Sequence, residues 1–367
     1  MKKMLHIAYS GLGGHGAVLF SLLENQFLLG VTHIVLFVGV EQPRKEYVER
    51  CEKLSIKHAY IARDSVTSYF RFVLDIFRYL IKNNPGYIFA HGMAAVPAVS
   101  LFKLFFPGKK NVILRETQAH HLKSRHDWIC LLLANFIFDR IVYLTDEAKS
   151  GAKAKLQFLH RDRKSIVIGN GLDTIYFAPH NSCSDSRVIK IGMQSRLQSN
   201  KDHRTLIDAF NMLNCRNSSF DLSLHIAGEG ATLESLRDYV HSLALGNKIF
   251  FHGMLGQSDL KKFLSNLYIY VHCTHGETMS TAIMQAFSMG LPVIASDVSG
   301  VSNMVTNGNG LLYRPGDAFH LAENMEKIIR DPNLKKSLAE QARRCAELNF
   351  SNSILTKKYT DVFSNNA

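Results

Sequence analysis

The chain has no run of about 18 uninterrupted apolar residues, which argues against a membrane-spanning helix. Its longest apolar stretches, near Val96 to Pro107 and Trp128 to Phe138, are too short or carry Lys103. Cysteine is sparse. The six residues Cys51, Cys130, Cys183, Cys215, Cys273 and Cys345 lie far apart without a C-x-x-C pair, so reduced thiols are expected rather than a disulfide framework or a metal cluster. No D-x-D pair of acids stands near a strand end, so no metal site is expected. No aromatic-basic recognition module accompanies the positive charge, which leaves nucleic acid unsupported as a partner. The opening MKKMLHIAYSG has an apolar run too short for a signal peptide and passes straight into a glycine turn, so it reads as a first core strand.

What is present is a globular composition, 46% hydrophobic and 20% charged over 367 residues, more than one hydrophobic core comfortably serves and enough for two domains. The net charge of +12 is uneven. Residues 1–180 hold 24 Lys/Arg against 14 Asp/Glu, a net of +10, and residues 181–367 hold 19 against 17, a net of +2. An anionic partner is therefore expected at the first half.

The most informative stretch is Cys273 to Ser299. Tyr268 to His272 reads as a strand, Glu277 follows its carboxyl end, and Ser280 or Thr281 caps a helix that Gly290-Leu291-Pro292 stops before a second strand, Val293 to Ala295. Free amides at the helix start, around Met279, Ser280 and Thr281, favour a phosphate. The carboxylate beside them suits sugar hydroxyls, so the pair fits a ligand carrying both groups, such as a nucleotide sugar.

This segment resembles the E-x7-E motif of family 4 retaining glycosyltransferases, down to the trailing Gly290, Pro292, Val293, Ile294, Ala295 and Ser296. Gln285 stands where the second Glu is usual. The resemblance implies a GT-B fold, α/β with two doubly wound Rossmann-like domains facing across a cleft. It also implies Glu277 at the transferred sugar and Gln285 at the ribose, where an amide loses the charge-assisted bond of a carboxylate. Gln194 to Asp202 is similar to the family's G-R-L-x-x-x-K-G, which implies that Arg196 and Lys201 hold the diphosphate; solvated loop charges are the alternative. Ile166 to Pro179, with Asn170-Gly171-Leu172-Asp173 and Phe177, is similar to the segment that ends the first domain. The expected domains are thus an acceptor domain, 1–180, a nucleotide-sugar domain, 181–348, and a terminal helix, 349–367, crossing back.

In the first half Gly11-Leu12-Gly13-Gly14-His15-Gly16 follows a strand. By resemblance Gly13 and Gly14 let backbone approach a phosphate. Taken literally the run is G-x-G-x-x-G, and with Glu41 it supports an alternative, an NAD-dependent oxidoreductase using Gly11, Gly13 and Gly16. The helix Val66 to Lys82, apolar almost all round, reads as buried rather than membrane-facing. Leu101 to Lys110, aromatic and ending in lysines, fits either an anionic bilayer or a core helix with a solvated end. His91, Glu116 and His120 are candidates for a catalytic-region residue, and the His120-His121 patch is more simply polar surface than a metal site. In the second half regular strand-helix alternation places Arg196, Gly253 and Glu277 at the carboxyl ends of strands.

The expected activity is a retaining, metal-independent hexosyltransferase acting from a UDP- or GDP-linked sugar, with no other cofactor. The expected acceptor is a glycan or a lipid-linked molecule of bacterial lipopolysaccharide or surface polysaccharide. The expected location is cytoplasmic, peripheral at the inner membrane surface. A protein of the same fold that binds nucleotide sugar without turnover is the other alternative, made credible by Gln285.

Overall fold

The computed structural model describes residues 2–11, 14–25, 27–63, 69–108, 110–118, 123–179, 188–216, 220–306 and 308–364. They form two compact units that divide between Leu172 and Asp173; the first also takes the chain from Asn352 onward. Among the described residues no helix is long and apolar enough to cross a membrane.

In the first unit strands and helices alternate: β1 Lys3–Tyr9, α1 Gly14–Glu24, β2 Thr32–Gly39, α2 Lys45–Lys53, β3 Lys57–Ala62, α3 Tyr69–Asn83, β4 Tyr87–Ala90, α4 Val96–Phe105, β5 Asn111–Glu116, α5 Arg125–Ile137, β6 Arg140–Tyr143, α6 Asp146–Leu156 and β7 Ser165–Val167. All strands pair in parallel, in the order β3-β2-β1-β4-β5-β6-β7. Such a sheet is covered on both faces, which is why β2 is nearly all apolar. Its Ile34, Leu36 and Val38 pack with α3, α4 and α5, and Val35 and Phe37 with α1 and α2.

Helix α3 departs from the expected all-round burial. Phe72, Val73, Ile76 and Leu80 face the core at helical spacing, while Phe70 and Ile81 are exposed, because one stripe is all a helix lying on a sheet buries.

The second unit repeats the plan with β8 Val188–Gln194, α7 His203–Arg216, β9 Asp221–Ala227, α8 Leu233–Ser242, β10 Ile249–Phe251, α9 Gln257–Ser265, β11 Ile269–His272, α10 Thr281–Ser288, β12 Val293–Ser296, β13 Gly310–Tyr313, α11 Ala318–Arg330 and α12 Pro332–Asn349. Its parallel order is β10-β9-β8-β11-β12-β13. Phe177 belongs to this unit: its carbonyl accepts from Ser288 Oγ (2.6 Å) and Arg343 (3.1 Å), which holds the segment after Leu172 against α10 and α12. The last helix, α13 Asn352–Ser364, lies on the first sheet. Leu355, Tyr359 and Phe363 recur every four residues and bury one stripe among Phe27, Tyr87 and Phe89.

Candidate functional site

In each sheet the strand order reverses once, between β1 and β4 and between β8 and β11, and open parallel sheets bind ligands beyond the carboxyl ends at such a point. At the second reversal β8 delivers Gln194 and Arg196, and β11 delivers His272 and the loop to Glu277.

Glycine builds the β8 exit. A Cβ on Gly228 would sit 1.8 Å from the Ser195 carbonyl oxygen, and one on Gly230 would sit 2.2 Å from that of Leu197. The loop after β9 therefore lies directly against the backbone that carries Arg196. The Leu197 amide donates to Glu229 O (2.9 Å), and Arg196 is left exposed, with no side-chain ion pair among the described residues. Further on, the His275 amide and Thr274 Oγ1 both donate to Asn200 O (3.0 and 3.1 Å), and the Asp202 amide donates to Cys273 O (3.3 Å). These three bonds bring the Lys201 loop onto the loop after β11.

The result is an ion pair, Lys201 Nζ on Glu277 Oε1, largely out of solvent. The same oxygen contacts Nε2 of His272, a buried residue at the end of β11. Burial alone would push the Glu277 carboxyl up; His272 and then Lys201 outweigh it and hold it at about 2, so Glu277 is a carboxylate at neutral pH. Gly300 gives this loop its room, since a Cβ there would lie 1.7 Å from the Glu277 carbonyl oxygen.

Ser280 caps α10, accepting from the Ile283 amide at 3.3 Å, and Thr281 opens the helix. The Ser280 amide faces Met304 Sδ at 3.3 Å, so that one of the three expected anion donors has a protein partner. Met279 and Thr281 flank it, half-buried. Gln285, also half-buried, accepts on Oε1 from Gln194 Nε2. Gly253, in positive φ, reaches the group only through backbone: its carbonyl accepts from the Gly228 amide at 2.8 Å.

His272 escaped the sequence reading because it closes an otherwise apolar strand. A polar residue in so buried a position was the available signal.

At the reversal in the first unit Gly13 lies outside the described residues and Gly14 opens α1. The flanking glycines answer local packing: a Cβ on Gly11 would strike the Tyr9 ring at 2.6 Å, and one on Gly16 the Tyr47 ring at 2.3 Å. Packing against Tyr9 and Tyr47 thus gives Gly11 and Gly16 local reasons that need no dinucleotide. His91 is buried, with Nε2 3.3 Å from His6 Nδ1; His6 continues to His33 at 3.1 Å. Glu116 is buried in an ion pair with Lys123 (3.0 Å) and accepts from the Gln118 amide (2.7 Å), a structural anchor. His120 and His121 lie outside the described residues.

Residues 181–345 match the family model described as Glycosyl transferases group 1. Among curated relatives, the capsular polysaccharide biosynthesis glycosyltransferase CapM of Staphylococcus aureus is 24% identical over 63% of this chain and 63% of its own length. The lipopolysaccharide core biosynthesis glycosyltransferase LpsE of Rhizobium meliloti is 26% identical over 38% of this chain and 41% of its own. The chain thus spans less than two thirds of either relative. HepE of Anabaena, solved in complex with UDP, superposes with a TM-score of 0.82 at 18% identity over 100% of both chains. A glycosyltransferase from Rickettsia africae superposes at 0.81 with 19% identity, over 100% of this chain and 98% of that one. The architecture is that of GT-B glycosyltransferases.

Proposed function

We propose that this GT-B chain, whose residues 181–345 carry the glycosyl transferases group 1 domain, moves a hexose from a UDP- or GDP-linked sugar to a hydroxyl with retention of configuration. The observation that carries the reading is the Lys201–Glu277 pair at the strand-order reversal of the second sheet, where the exit of β8 also carries exposed Arg196.

In the reaction the bond between the anomeric carbon and the β-phosphate oxygen breaks, and negative charge gathers on the departing nucleotide. Arg196, Lys201 and the Thr281 amide at the start of α10 stabilise that charge in this reading, and no metal enters. Glu277, ionised, accepts from hydroxyls of the transferred sugar, and Gln285 serves the ribose. The acceptor hydroxyl attacks from the face the nucleotide leaves and gives its proton to the departing phosphate, so no carboxylate acts as a covalent nucleophile. HepE, of the same fold, was solved with UDP and with UDP-glucose, which supports this class of ligand.

The names of CapM and LpsE support a glycan or lipid-linked acceptor in surface polysaccharide or lipopolysaccharide assembly. The protein would then work in the cytoplasm, in peripheral contact with the inner membrane.

The test is a panel of nucleotide sugars scored by thermal shift, followed by transfer assays with the best of them. Glu277→Ala is expected to abolish transfer and Arg196→Ala to weaken chiefly the use of the nucleotide sugar. Unchanged turnover in both would remove the assignment.

A further inference from the structure

The hydrogen bonds around His272 bear on where its protons are. Nε2 contacts a carboxylate oxygen of Glu277, which only accepts, so Nε2 carries hydrogen. On the other side Nδ1 lies 3.4 Å from the hydroxyl of Tyr270. That hydroxyl has one proton, and it donates it to the backbone carbonyl of Gln194 at 3.2 Å. With that bond made, the shorter of the two, its oxygen faces His272 as an acceptor, which puts a hydrogen on Nδ1 as well.

We infer that His272 is a positioning residue for the nucleotide-sugar site: a buried imidazolium that holds Oε1 of Glu277 and so frees Lys201 for the diphosphate. The inference rests on the proposed function. Lys201 and His272 share Oε1, and among the described residues no protein group hydrogen-bonds Oε2. One carboxylate oxygen is thus anchored, and the other is available to sugar hydroxyls.

The charge count points the same way. Glu277 has two basic partners, Lys201 and His272, so with both charged one positive charge is left over for an anionic ligand. With a neutral His272, Lys201 would be spent on Glu277. Asp202, next to Lys201, is the other acid at this corner and subtracts from that surplus. His203, at the start of α7, is buried and held at about 4, and so stays neutral. Asp202 accepts from Thr205 Oγ1 at 2.6 Å. Burial pushes the Tyr270 hydroxyl and the Cys273 thiol up, and both stay protonated.

Ring-nitrogen NMR of the 15N-histidine-labelled full chain, with His272 assigned by its loss in His272→Gln, reads the first half of the claim. Two protonated nitrogens at neutral pH are expected, and a bare nitrogen on either side overturns it. Binding of UDP and GDP to wild type and to His272→Gln reads the second half. The nucleotide that binds wild type is expected to bind the variant about tenfold more weakly, the loss of one charge at this range. If it turns over, the acid limb of its pH profile should move to higher pH, as Glu277 loses a cation. Wild-type affinity in a folded His272→Gln overturns the inference. Should the variant fail to fold, a second variant, His272→Lys, which restores a cation, is expected to recover binding that His272→Met does not. Failure of wild type to bind either nucleotide would instead count against the proposed function, and the NMR result would still decide the charge on His272.

Discussion

At the scale of single residues the site is a carboxylate that His272 and Lys201 keep ionised, and this has a consequence for stability. The folded Glu277 carboxyl sits at about 2 against an ordinary value of 4.5. A depressed acid contributes stability above its unfolded value and loses it as pH falls through the folded one. Glu277→Gln should therefore be less stable than wild type at pH 7, by a few kcal/mol. The difference should shrink as pH falls from about 4.5 towards 2, and urea unfolding at pH 7 and pH 3 checks it. Gln285 invites the opposite change. Its Oε1 is engaged by Gln194, and a carboxylate there could keep that bond and still accept from a ribose hydroxyl. Gln285→Glu is thus expected to tighten nucleotide binding several-fold by calorimetry. Glu277, Arg196 and Lys201 stood out in the sequence through their likeness to family motifs, and only the fold shows Lys201 meeting Glu277. His272 did not stand out, because its role comes from the loop 273–277 folding back over its own strand.

Elements set this geometry through close backbone approaches more than through side chains. The alternation of strands and helices was legible from apolar runs and turn residues, since parallel strands buried on both faces announce themselves. Which glycines touch which loop was not, because contacts such as Gly300 on Glu277, or Gly228 on Ser195, join segments far apart in sequence. Gly300 combines a φ of +77° with a would-be Cβ 1.7 Å from the Glu277 carbonyl oxygen. Gly300→Ala must shift the loop that carries the carboxylate, at a cost of about 1–3 kcal/mol for the backbone alone. A fall in thermal midpoint together with weaker nucleotide binding is expected. A variant with unchanged midpoint and affinity would show that the loop yields freely. Helix α3 teaches a related lesson. Its composition is apolar nearly all round, but only one stripe meets the sheet, so the sequence identified the helix and not its outward face.

At the scale of the whole molecule the two-part plan was legible from length and from the Asn170-Gly171 turn, whereas the outer surface of the first unit emerges only from packing. Helix α4 packs against both α3 and α5, and the three, with Phe106 just past α4, expose Phe70, Leu104, Phe105, Phe106, Ile129, Leu133 and Phe136. Phe105 is 71% and Leu104 63% exposed, although the helix that bears them buries Phe102 completely. Exposed aromatics clustered on adjacent helices, in a half of the chain with a net charge of +10, suit a bilayer of anionic lipid. Lys103 does not belong to that surface, since it turns to Asp139 at 2.5 Å. Anchoring should therefore depend on the apolar residues for depth and on other cations for attraction. Flotation is expected to carry the wild type with vesicles rich in anionic lipid and to leave it behind with neutral ones, and added salt should weaken binding. Leu104→Asp with Phe105→Asp alters two exposed side chains, so it should abolish flotation while leaving the thermal midpoint and nucleotide binding unchanged. Equal failure of the wild type with both kinds of vesicle would refute the membrane contact without touching the assignment of Glu277.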